Sequence, residues 1–358
     1  MKKKYLYIVV AILLLSIIGG CSQDEYVKYE DTFFDTFDTI TQVIIYSESE
    51  EEFESYMDKI HTRFLELHKL YDRYNDYEDI NNIKTINDNA GKSPVKVDPE
   101  IIDLIEFSKE WYYRAGQETN IAMGPVVEIW KEYTEKAQDN PEEAELPDME
   151  ELEKAAEKAD IGKVVLDKEE GTVFLEEAGM ALDVGSVAKG YAVELVASEM
   201  EEEGLDSALI SGGGNIRAIG GPKENSKEKW GIGIQNPDTS LIKIGNILET
   251  VFIEGTSIVS SGDYQRYFEL DGKIYHHIID PHTLMPGDYY KAITIHSPHS
   301  GVADFLSTSA FLLPFNESKE LIDSIEDTEA LWVMKDGSIE ATDGMKKVML
   351  SEGASGGS

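Results

Sequence analysis

Two short segments decide how this chain is interpreted: Tyr275-His276-His277-Ile278-Ile279-Asp280-Pro281 and Ala303-Asp304-Phe305-Leu306-Ser307-Thr308. The first predicts a strand that ends at Asp-Pro, because proline donates no hydrogen bond to a β-ladder and often begins a turn. The second predicts the first turns of a helix. We therefore expect a strand and a helix here, each carrying polar side chains.

These segments hold two kinds of candidate functional residue. Neighbouring side chains on a strand point to opposite faces, so His276 and His277 cannot both serve one site, and one of them is expected to face a pocket. Asp304 and Thr308 are four residues apart and share one helix face. A carboxylate and a hydroxyl so placed are the hard oxygen donors that Mg²⁺ or Ca²⁺ prefers. The same spacing also occurs in helix caps and on solvated faces, so the pair alone does not establish a metal site.

Outward from these segments, strands and helices follow each other without a regular βαβ rhythm. A first strand is predicted from Phe37 to Tyr46, an amphipathic helix from Phe53 to Tyr74, and a helix from Asp98-Pro99. After Trp230 the patterns predict strands at 230–235, 250–253, 256–260, 265–270, 273–279 and 291–296, and helices at about 302–313 and 317–324. Asp271-Gly272 is a strong hairpin signal. We therefore predict an α+β fold with mixed, largely antiparallel sheets and flanking helices.

The charge of the chain excludes one class of partner. Its 358 residues include 70 acidic and 32 basic ones, for a formal net charge of −38. Such a surface repels phosphate backbones, so nucleic-acid binding is not expected. Any anionic substrate would need a local cation, which means a metal ion or a few placed Lys and Arg side chains.

The N-terminus has the pattern of an exported protein. Three lysines precede an apolar run from Tyr5 to Ile18, and Ile18-Gly19-Gly20-Cys21 resembles the lipobox of bacterial lipoproteins. An ordinary signal peptide or an uncleaved anchor is the alternative. Cys21 is the only cysteine, so no intrachain disulfide is possible. We predict a signal peptide at 1–20, a tether at 21–31 after lipidation of Cys21, a folded domain at 32–350 and a flexible tail at 351–358. The mature protein would then be lipid-anchored at the outer face of the cell membrane.

Glycines and a lysine mark a second region of interest. Gly212-Gly213-Gly214 ends the predicted strand 207–211, where it would either leave backbone amides available to an anion or form a bulge or tight turn. Asp183-Val184-Gly185 precedes a predicted helix over 186–203. Lys189, in the first turn of that helix, would either help to hold a phosphate or face solvent.

Five motifs stand in an order that resembles the ApbE family of FAD:protein FMN transferases, from about residue 31 to residue 350. They are Asp183-Val184-Gly185-Ser186-Val187-Ala188-Lys189-Gly190-Tyr191-Ala192, Ser211-Gly212-Gly213-Gly214-Asn215, Ser260-Ser261-Gly262-Asp263-Tyr264, His277-Ile278-Ile279-Asp280-Pro281, and Asp304-Phe305-Leu306-Ser307-Thr308. The resemblance implies binding of FAD and Mg²⁺ and transfer of FMN to a Thr or Ser hydroxyl of an exported acceptor protein, with release of AMP. Some members of the family instead hydrolyse FAD to FMN and AMP.

The resemblance also implies roles for particular residues. The metal ligands would be Ser186, Asp304 and Thr308, and the important histidine would be His277. The contacts to FAD would include Phe37, Tyr74, Glu118, Thr119, Asn120, Asp183, Lys189 and Ile278. Phe37 stands where many members have Met, and Asn120 stands where Asp is common. These two departures concern the flavin and adenine contacts, and neither touches the metal ligands or the histidine.

The sequence allows alternative roles for two of these residues and alternative functions for the chain. His277 would take a proton from an attacking hydroxyl or would be a structural residue of its strand. Asp280 would orient that ring or cap the turn. The same site with water as acceptor would be an FAD pyrophosphatase, and without cleavage the chain would be a flavin-binding lipoprotein. A solute-binding lipoprotein would need two lobes of repeated βαβ units, which the pattern does not indicate.

Overall fold

The computed structural model describes residues 26–224, 227–239, 246–264 and 266–357. The strands are β1 (Val27–Thr36), β2 (Thr39–Ser47), β3 (Val95–Lys96), β4 (Val164–Asp167), β5 (Thr172–Leu175), β6 (Ala208–Gly212), β7 (Asn215–Ile219), β8 (Trp230–Gln235), β9 (Ile247–Ile253), β10 (Ser257–Gly262), β11 (Tyr267–Leu270), β12 (Lys273–His276), β13 (Tyr290–Ser297), β14 (Glu329–Met334) and β15 (Ile339–Ala341). The α-helices are α1 (Glu50–Tyr71), α2 (Ile83–Asp88), α3 (Pro99–Arg114), α4 (Gly124–Asp139), α5 (Met149–Ala156), α6 (Ala188–Glu202), α7 (Ser300–Phe311), α8 (Phe315–Asp323) and α9 (Asp343–Lys346).

An eight-stranded sheet organises these elements, in the order β1-β2-β6-β7-β10-β13-β14-β15. Every neighbouring pair in it is antiparallel. Three small antiparallel sheets accompany it, namely β3-β5-β4, β8-β9 and β11-β12. The predicted α+β class with largely antiparallel sheets is confirmed.

The large sheet is covered on both faces, as strand β14 near one edge shows. In β14, Ala330 and Trp332 belong to the core cluster formed with the helices, whereas Leu331 and Val333 belong to a cluster under the β8-β9 ribbon. Alternate side chains of a strand point to opposite faces, so a strand buried on both sides is apolar throughout. Each large side chain buried in this way stabilises the fold by about 1.5–3 kcal/mol.

Helix α7 lies in the middle of the main core. All of its residues are buried except Thr308, which is half-buried. A helix that is buried all round is expected to be apolar all round, and α7 is so except for small hydroxyl residues and Asp304, its only charged residue. A charge in such a helix disfavours folding unless it has another purpose.

The N-terminal boundary predicted for the domain is wrong. Val27 pairs with Ser47, and β1 continues antiparallel to β2 through Thr36, so residues 27–31 belong to the sheet and not to a tether. The strand was missed because it lies at the sheet edge, where polar and charged residues protect against aggregation and obscure the alternation. The predicted signal peptide and Cys21 lie outside the described residues.

The first predicted strand also begins too early. Phe37 and Asp38 form the turn between β1 and β2, with φ of 52° and 50°, and β2 starts at Thr39. Two consecutive residues with positive φ are typical of a type I′ hairpin turn, which normally carries Asn or Gly. The sequence at this turn therefore gave no signal for it.

The predicted flexible tail is packed against the domain as far as the structure describes it. The carbonyl oxygen of Gly356 accepts hydrogen bonds from the backbone N–H groups of Glu228 (2.7 Å) and Lys229 (3.0 Å). The hydroxyl of Ser351 donates to the carboxylate of Glu249 in β9. The Ser/Gly composition of this segment did not predict these contacts. Within the described ranges, no helix is long and apolar enough to cross a membrane.

Candidate active site

The buried carboxylate of Asp304 joins helix α7 to the first turn of α6. Asp304 is 5% exposed, and its Oδ2 accepts a hydrogen bond from the backbone N–H of Gly190 at 2.8 Å. A β-carbon at Gly190 would overlap Asp304 and the carbonyl oxygen of Ser300, so glycine is required for this close approach of the two helices. The motif that contains Ser186 and Lys189 is thereby brought to the motif that contains Asp304.

Among the described residues, no basic side chain lies within ion-pair distance of the Asp304 carboxylate. Burial raises its pKa, and the nearby charge of Lys189 and the Gly190 N–H oppose this effect only in part. Among the described residues, no group donates a hydrogen bond to its second oxygen, Oδ1. A bound cation would offset the penalty of burying this charge.

The donors around Asp304 suit a hard cation. Thr308 lies one turn further along α7 and is half-buried, and Ser186 lies in the turn that precedes α6. No group of three or more His, Cys, Asp or Glu side chains arranged to hold a metal occurs in the described parts of the chain. A metal here would therefore rely on one carboxylate with hydroxyl and backbone oxygens, which fits Mg²⁺ better than Zn²⁺.

His276 and His277 face opposite environments, as their positions in sequence predicted. His276 is 3% exposed; its Nε2 donates to the carbonyl oxygen of Gly287 at 2.7 Å, and its Nδ1 accepts the N–H of Ile278 at 3.2 Å. Burial lowers the pKa of His276 to about 4. Both ring nitrogens are used, so His276 is a structural residue.

His277 keeps one ring nitrogen available. Its Nδ1 lies 3.4 Å from the carbonyl oxygen of Arg266, and because a carbonyl only accepts, this nitrogen must carry the proton. Nε2 then has the lone pair that a general base needs. The ring has an exposed side, although protein surrounds the rest of it, and this desolvation lowers the pKa of His277 below its ordinary value of 6.5. The charges of His276, Lys189 and Arg266 act in the same direction.

Lys189 connects the two halves of the site. Its ammonium donates to the carbonyl oxygen of Gly185 at 3.3 Å, and no carboxylate lies within ion-pair distance of it among the described residues. Its charge acts on the pKa of both Asp304 and His277. A lysine near a buried carboxylate and an accessible imidazole is suited to holding an anion between them.

A second group of predicted residues surrounds Tyr74. Its ring is 44% exposed and lies below two cations, with Arg73 at 5.2 Å and Lys131 at 4.1 Å from the ring centroid. Arg73 also donates to Asp183, whose other carboxylate oxygen accepts the Gly185 N–H at 2.8 Å. Tyr74 and Asp183, both predicted to contact FAD, are thus joined through Arg73, which the sequence did not reveal.

Phe37 is held in its strained turn by a chain of polar groups. The backbone N–H of Phe37 donates to Nδ1 of His68 at 3.2 Å. Nε2 of His68 lies 3.3 Å from the hydroxyl of Tyr77, which donates to Asp72 at 2.7 Å. Bulky residues with positive φ persist only where neighbours enforce them, and such positions cluster at functional sites.

The segment Glu118-Thr119-Asn120 is attached to the same core. The hydroxyl of Thr119 lies 2.7 Å from that of Ser309 in α7, and the side-chain amide of Asn120 donates to the carbonyl oxygen of Ala159 at 2.8 Å. Glu118 is buried, which raises its pKa, and lies 3.3 Å from Nε2 of His282. The contacts of this segment with FAD stay predictions.

The turn after His277 shows which role Asp280 has. Its Oδ1 accepts the N–H groups of His282 (2.7 Å) and Thr283 (3.2 Å), so it caps the turn and does not orient the His277 ring. Ile278 is buried and accepts the Gly287 N–H through its carbonyl oxygen at 3.0 Å. Ile278 as a contact to FAD stays a prediction.

One surface depression lies away from this site. A depression of about 570 Å³ between α3 and β4 is lined by Glu106, Lys109, Tyr113 and Val165, among others. It contains none of the predicted site residues.

Comparison with known proteins agrees with this geometry. Residues 37–332 match the model of the ApbE family. A protein of Treponema pallidum named FAD:protein FMN transferase is 32% identical over 275 residues, which span 74% of this chain and 73% of the relative. A protein of Klebsiella pneumoniae with the same name is 31% identical over 276 residues, spanning 76% of this chain and 82% of the relative.

Solved structures share the fold. The ApbE protein of Thermotoga maritima superposes with a TM-score of 0.77 at 25% identity, covering 90% of this chain and 99% of that one. The apo form of the flavinyl transferase ApbE of Pseudomonas stutzeri superposes with a TM-score of 0.74 at 20% identity, covering 90% and 97%, which supports the fold alone. The resemblance predicted from the five motifs is confirmed, and the chain belongs to the ApbE family.

Proposed function

We propose that the chain is an FAD:protein FMN transferase that moves the FMN part of FAD to a Thr or Ser hydroxyl of an exported acceptor protein and releases AMP. The names of its relatives support the transferase activity. The observation that carries the proposal is that Lys189 lies within electrostatic range of both the buried Asp304 and the ring of His277, whose Nε2 has no hydrogen-bond partner among the described residues. These are the groups that cleavage of a diphosphate ester requires, because the reaction is governed by positioning and charge neutralisation.

Mg²⁺ is the proposed cofactor, and Asp304, Thr308 and Ser186 would hold it. The fit rests on the uncommitted Oδ1 of Asp304 and on the hydroxyl donors beside it. When bound, the ion would act as a Lewis acid on the phosphate oxygens. In a chain with a net charge of −38 it would also supply positive charge that the surface lacks.

His277 is the proposed general base. Its Nε2 takes the proton of the acceptor hydroxyl while that oxygen bonds to the phosphorus of the FMN part. The bond from this phosphorus to the oxygen shared with AMP breaks, and AMP leaves with the electron pair. The lowered pKa of His277 keeps the ring neutral at pH 7, as a base must be. Lys189 would hold the diphosphate in place during the exchange.

Binding of FAD is proposed to involve the residues that surround this centre. Tyr74 and Asp183, joined by Arg73, offer a ring and polar groups on one side. Phe37, Ile278 and the segment Glu118-Thr119-Asn120 are the remaining proposed contacts.

The cellular location is also a proposal. The lipobox-like Ile18-Gly19-Gly20-Cys21 supports a lipid anchor on Cys21 at the outer face of the cell membrane. An exported acceptor would meet the enzyme there. Mass spectrometry of the membrane fraction would show a diacylglycerol on Cys21, and an unmodified or uncleaved N-terminus would contradict this location.

One experiment separates transfer from hydrolysis. The full-length protein in detergent is incubated with FAD, Mg²⁺ and a candidate exported acceptor, alongside the same acceptor with its target Thr or Ser replaced by Ala. A fluorescent acceptor band on a denaturing gel, together with AMP and only for the hydroxyl-bearing acceptor, supports transfer. Free FMN with AMP and no labelled protein would indicate an FAD pyrophosphatase, and no AMP at all would leave a flavin-binding protein.

A further inference from the structure

The hairpin of β11 and β12 places an arginine beside His277. Its register pairs Tyr267 with His276, and the backbone continues one step further because the N–H of His277 donates to the carbonyl oxygen of Arg266 at 3.2 Å. Residues directly opposite each other in an antiparallel pair carry their side chains on the same face, with Cβ atoms about 4.5–5.5 Å apart. Arg266 and His277 therefore share one face of the hairpin, and His276 faces the other way into the core.

Arg266 differs from the other arginines of the chain. The sequence contains five, and four of them form ion pairs with carboxylates: Arg63, Arg73, Arg114 and Arg217. Arg266 has an exposed side chain and no carboxylate within ion-pair distance among the described residues. In a protein with 70 acidic and 32 basic residues, a cation without a carboxylate partner is unusual.

The surroundings of Arg266 are those of the proposed site. Its charge acts on the His277 ring and on the hydroxyl of Tyr74, so it lies within electrostatic range of the proposed base and of a proposed contact to FAD. Lys189 acts on His277 as well. Two cations for which the described residues supply no carboxylate partner thus lie within electrostatic range of one accessible imidazole.

We propose that the guanidinium of Arg266 binds the diphosphate of FAD. This inference rests on the proposed transferase function. A guanidinium offers paired N–H donors that match two phosphate oxygens, which a lysine cannot do. Negative charge that builds on the diphosphate during cleavage would be stabilised by this guanidinium together with Lys189.

The alternative is that Arg266 has a purely structural role. Its carbonyl oxygen already receives the N–H of His277 and fixes the tautomer of the ring. Any residue at position 266 would supply that carbonyl. A structural role therefore predicts that the side chain can be changed without loss of FAD binding or turnover, whereas phosphate binding requires the guanidinium.

The test compares Arg266→Gln and Arg266→Lys with the wild type in the full-length protein. Arg114→Gln is the matched control, because Arg114 is also an exposed arginine but pairs with Glu110 on α3. Binding of FAD and of riboflavin, which has no phosphate, is followed by flavin fluorescence, and AMP release gives kcat and KM. A hydrogen bond to a charged group contributes about 1.5–3 kcal/mol, so Arg266→Gln should weaken FAD binding and kcat/KM by about tenfold to a hundredfold.

Three features of the result decide the inference. Riboflavin binding should be unchanged in Arg266→Gln, Arg266→Lys should restore part of the loss, and Arg114→Gln should match the wild type. Unchanged FAD binding and turnover in Arg266→Gln, or equal losses for FAD and riboflavin, would overturn it. A wild-type protein that neither binds FAD nor releases AMP would instead refute the proposed function itself.

Discussion

Two buried carboxylates join α6 to α7, and their surroundings differ. Glu194 in α6 is 8% exposed and is fully partnered: it accepts the Nε–H of Arg217 at 3.3 Å, the backbone N–H of Ser300 and, at 3.5 Å, the hydroxyl of Ser198. Asp304 in α7 is 5% exposed, and within the described part of the chain its carboxylate accepts one hydrogen bond, from Gly190. The two carboxylates are thus buried to a similar extent, but only Glu194 has partners that compensate its charge.

The difference separates a structural charge from a functional one. A buried carboxylate paired with arginine keeps two helices in register, and removing it leaves a buried cation. A buried carboxylate without such a partner penalises the fold, and proteins retain such groups mostly at functional sites. The two histidines repeat the contrast, because both nitrogens of His276 are used, whereas the described residues supply no partner for Nε2 of His277.

The largest expected effect is the loss of turnover in Asp304→Asn. We expect AMP release to fall by about a thousandfold, as when a group that stabilises developing charge is removed. Stability in the absence of metal should stay the same or rise, because a buried charge is replaced by a neutral side chain of the same shape. Thermal unfolding with and without Mg²⁺ checks both points. Stabilisation of this variant by Mg²⁺ equal to that of the wild type, or full turnover, would remove Asp304 from the metal site.

Glu194→Ala should show the opposite behaviour. Arg217 is 7% exposed and would keep Glu201 as its one carboxylate partner among the described residues, so we expect the free energy of unfolding to fall by about 3 kcal/mol, measured by urea denaturation. Glu201→Ala is the control, since that partner of Arg217 is more exposed and should contribute less than about 1 kcal/mol. If Glu194→Ala and Glu201→Ala lowered the free energy of unfolding equally, the pairing of Glu194 with Arg217 would not explain how Glu194 differs from Asp304.

His277→Gln tests the same contrast on the hairpin. We expect transfer to fall by about a hundredfold through loss of the base, with FAD affinity retained. His61→Gln, which changes an exposed histidine paired with Asp35, is the control and should have wild-type activity. Loss of FAD binding with unchanged turnover at saturation would argue for a binding role and against the base.

Local patterns in the sequence encode much of this arrangement. The Asp271-Gly272 turn fixes the register Leu270 to Lys273, and counting outward from that pair brings residue 266 opposite residue 277. The hairpin signal was recognised, but the pairing of Arg266 with His277 that follows from it was not predicted. The spacing of Asp304 and Thr308 did predict their common helix, because helical periodicity is a local property.

Other features depended on contacts that no local pattern encodes. The Phe37-Asp38 turn is held by His68, which lies 31 residues away, and not by turn residues of its own. The Arg73 to Asp183 ion pair joins positions 110 residues apart. Edge strand β1 has too few buried residues to show an alternation. In each case contacts between residues far apart in the sequence determine the local structure, so the local sequence pattern does not predict it.

The smallest effect is a pH dependence of stability that comes from His276. Its folded-state pKa of about 4 lies below the ordinary 6.5, so the unfolded chain binds the proton first and stability is lost as the pH falls from about 6.5 towards 4. Burial is the main cause of the lowered pKa, and protonation would also place a proton on Nδ1, which accepts the Ile278 N–H. The substitution His276→Gln lowers the free energy of unfolding relative to the wild type. This loss should be about 2 kcal/mol smaller at pH 5 than at pH 7.5. Denaturation of both proteins at the two pH values measures this, and a difference between them that is independent of pH would mean that His276 accepts its proton in the folded state as readily as in water.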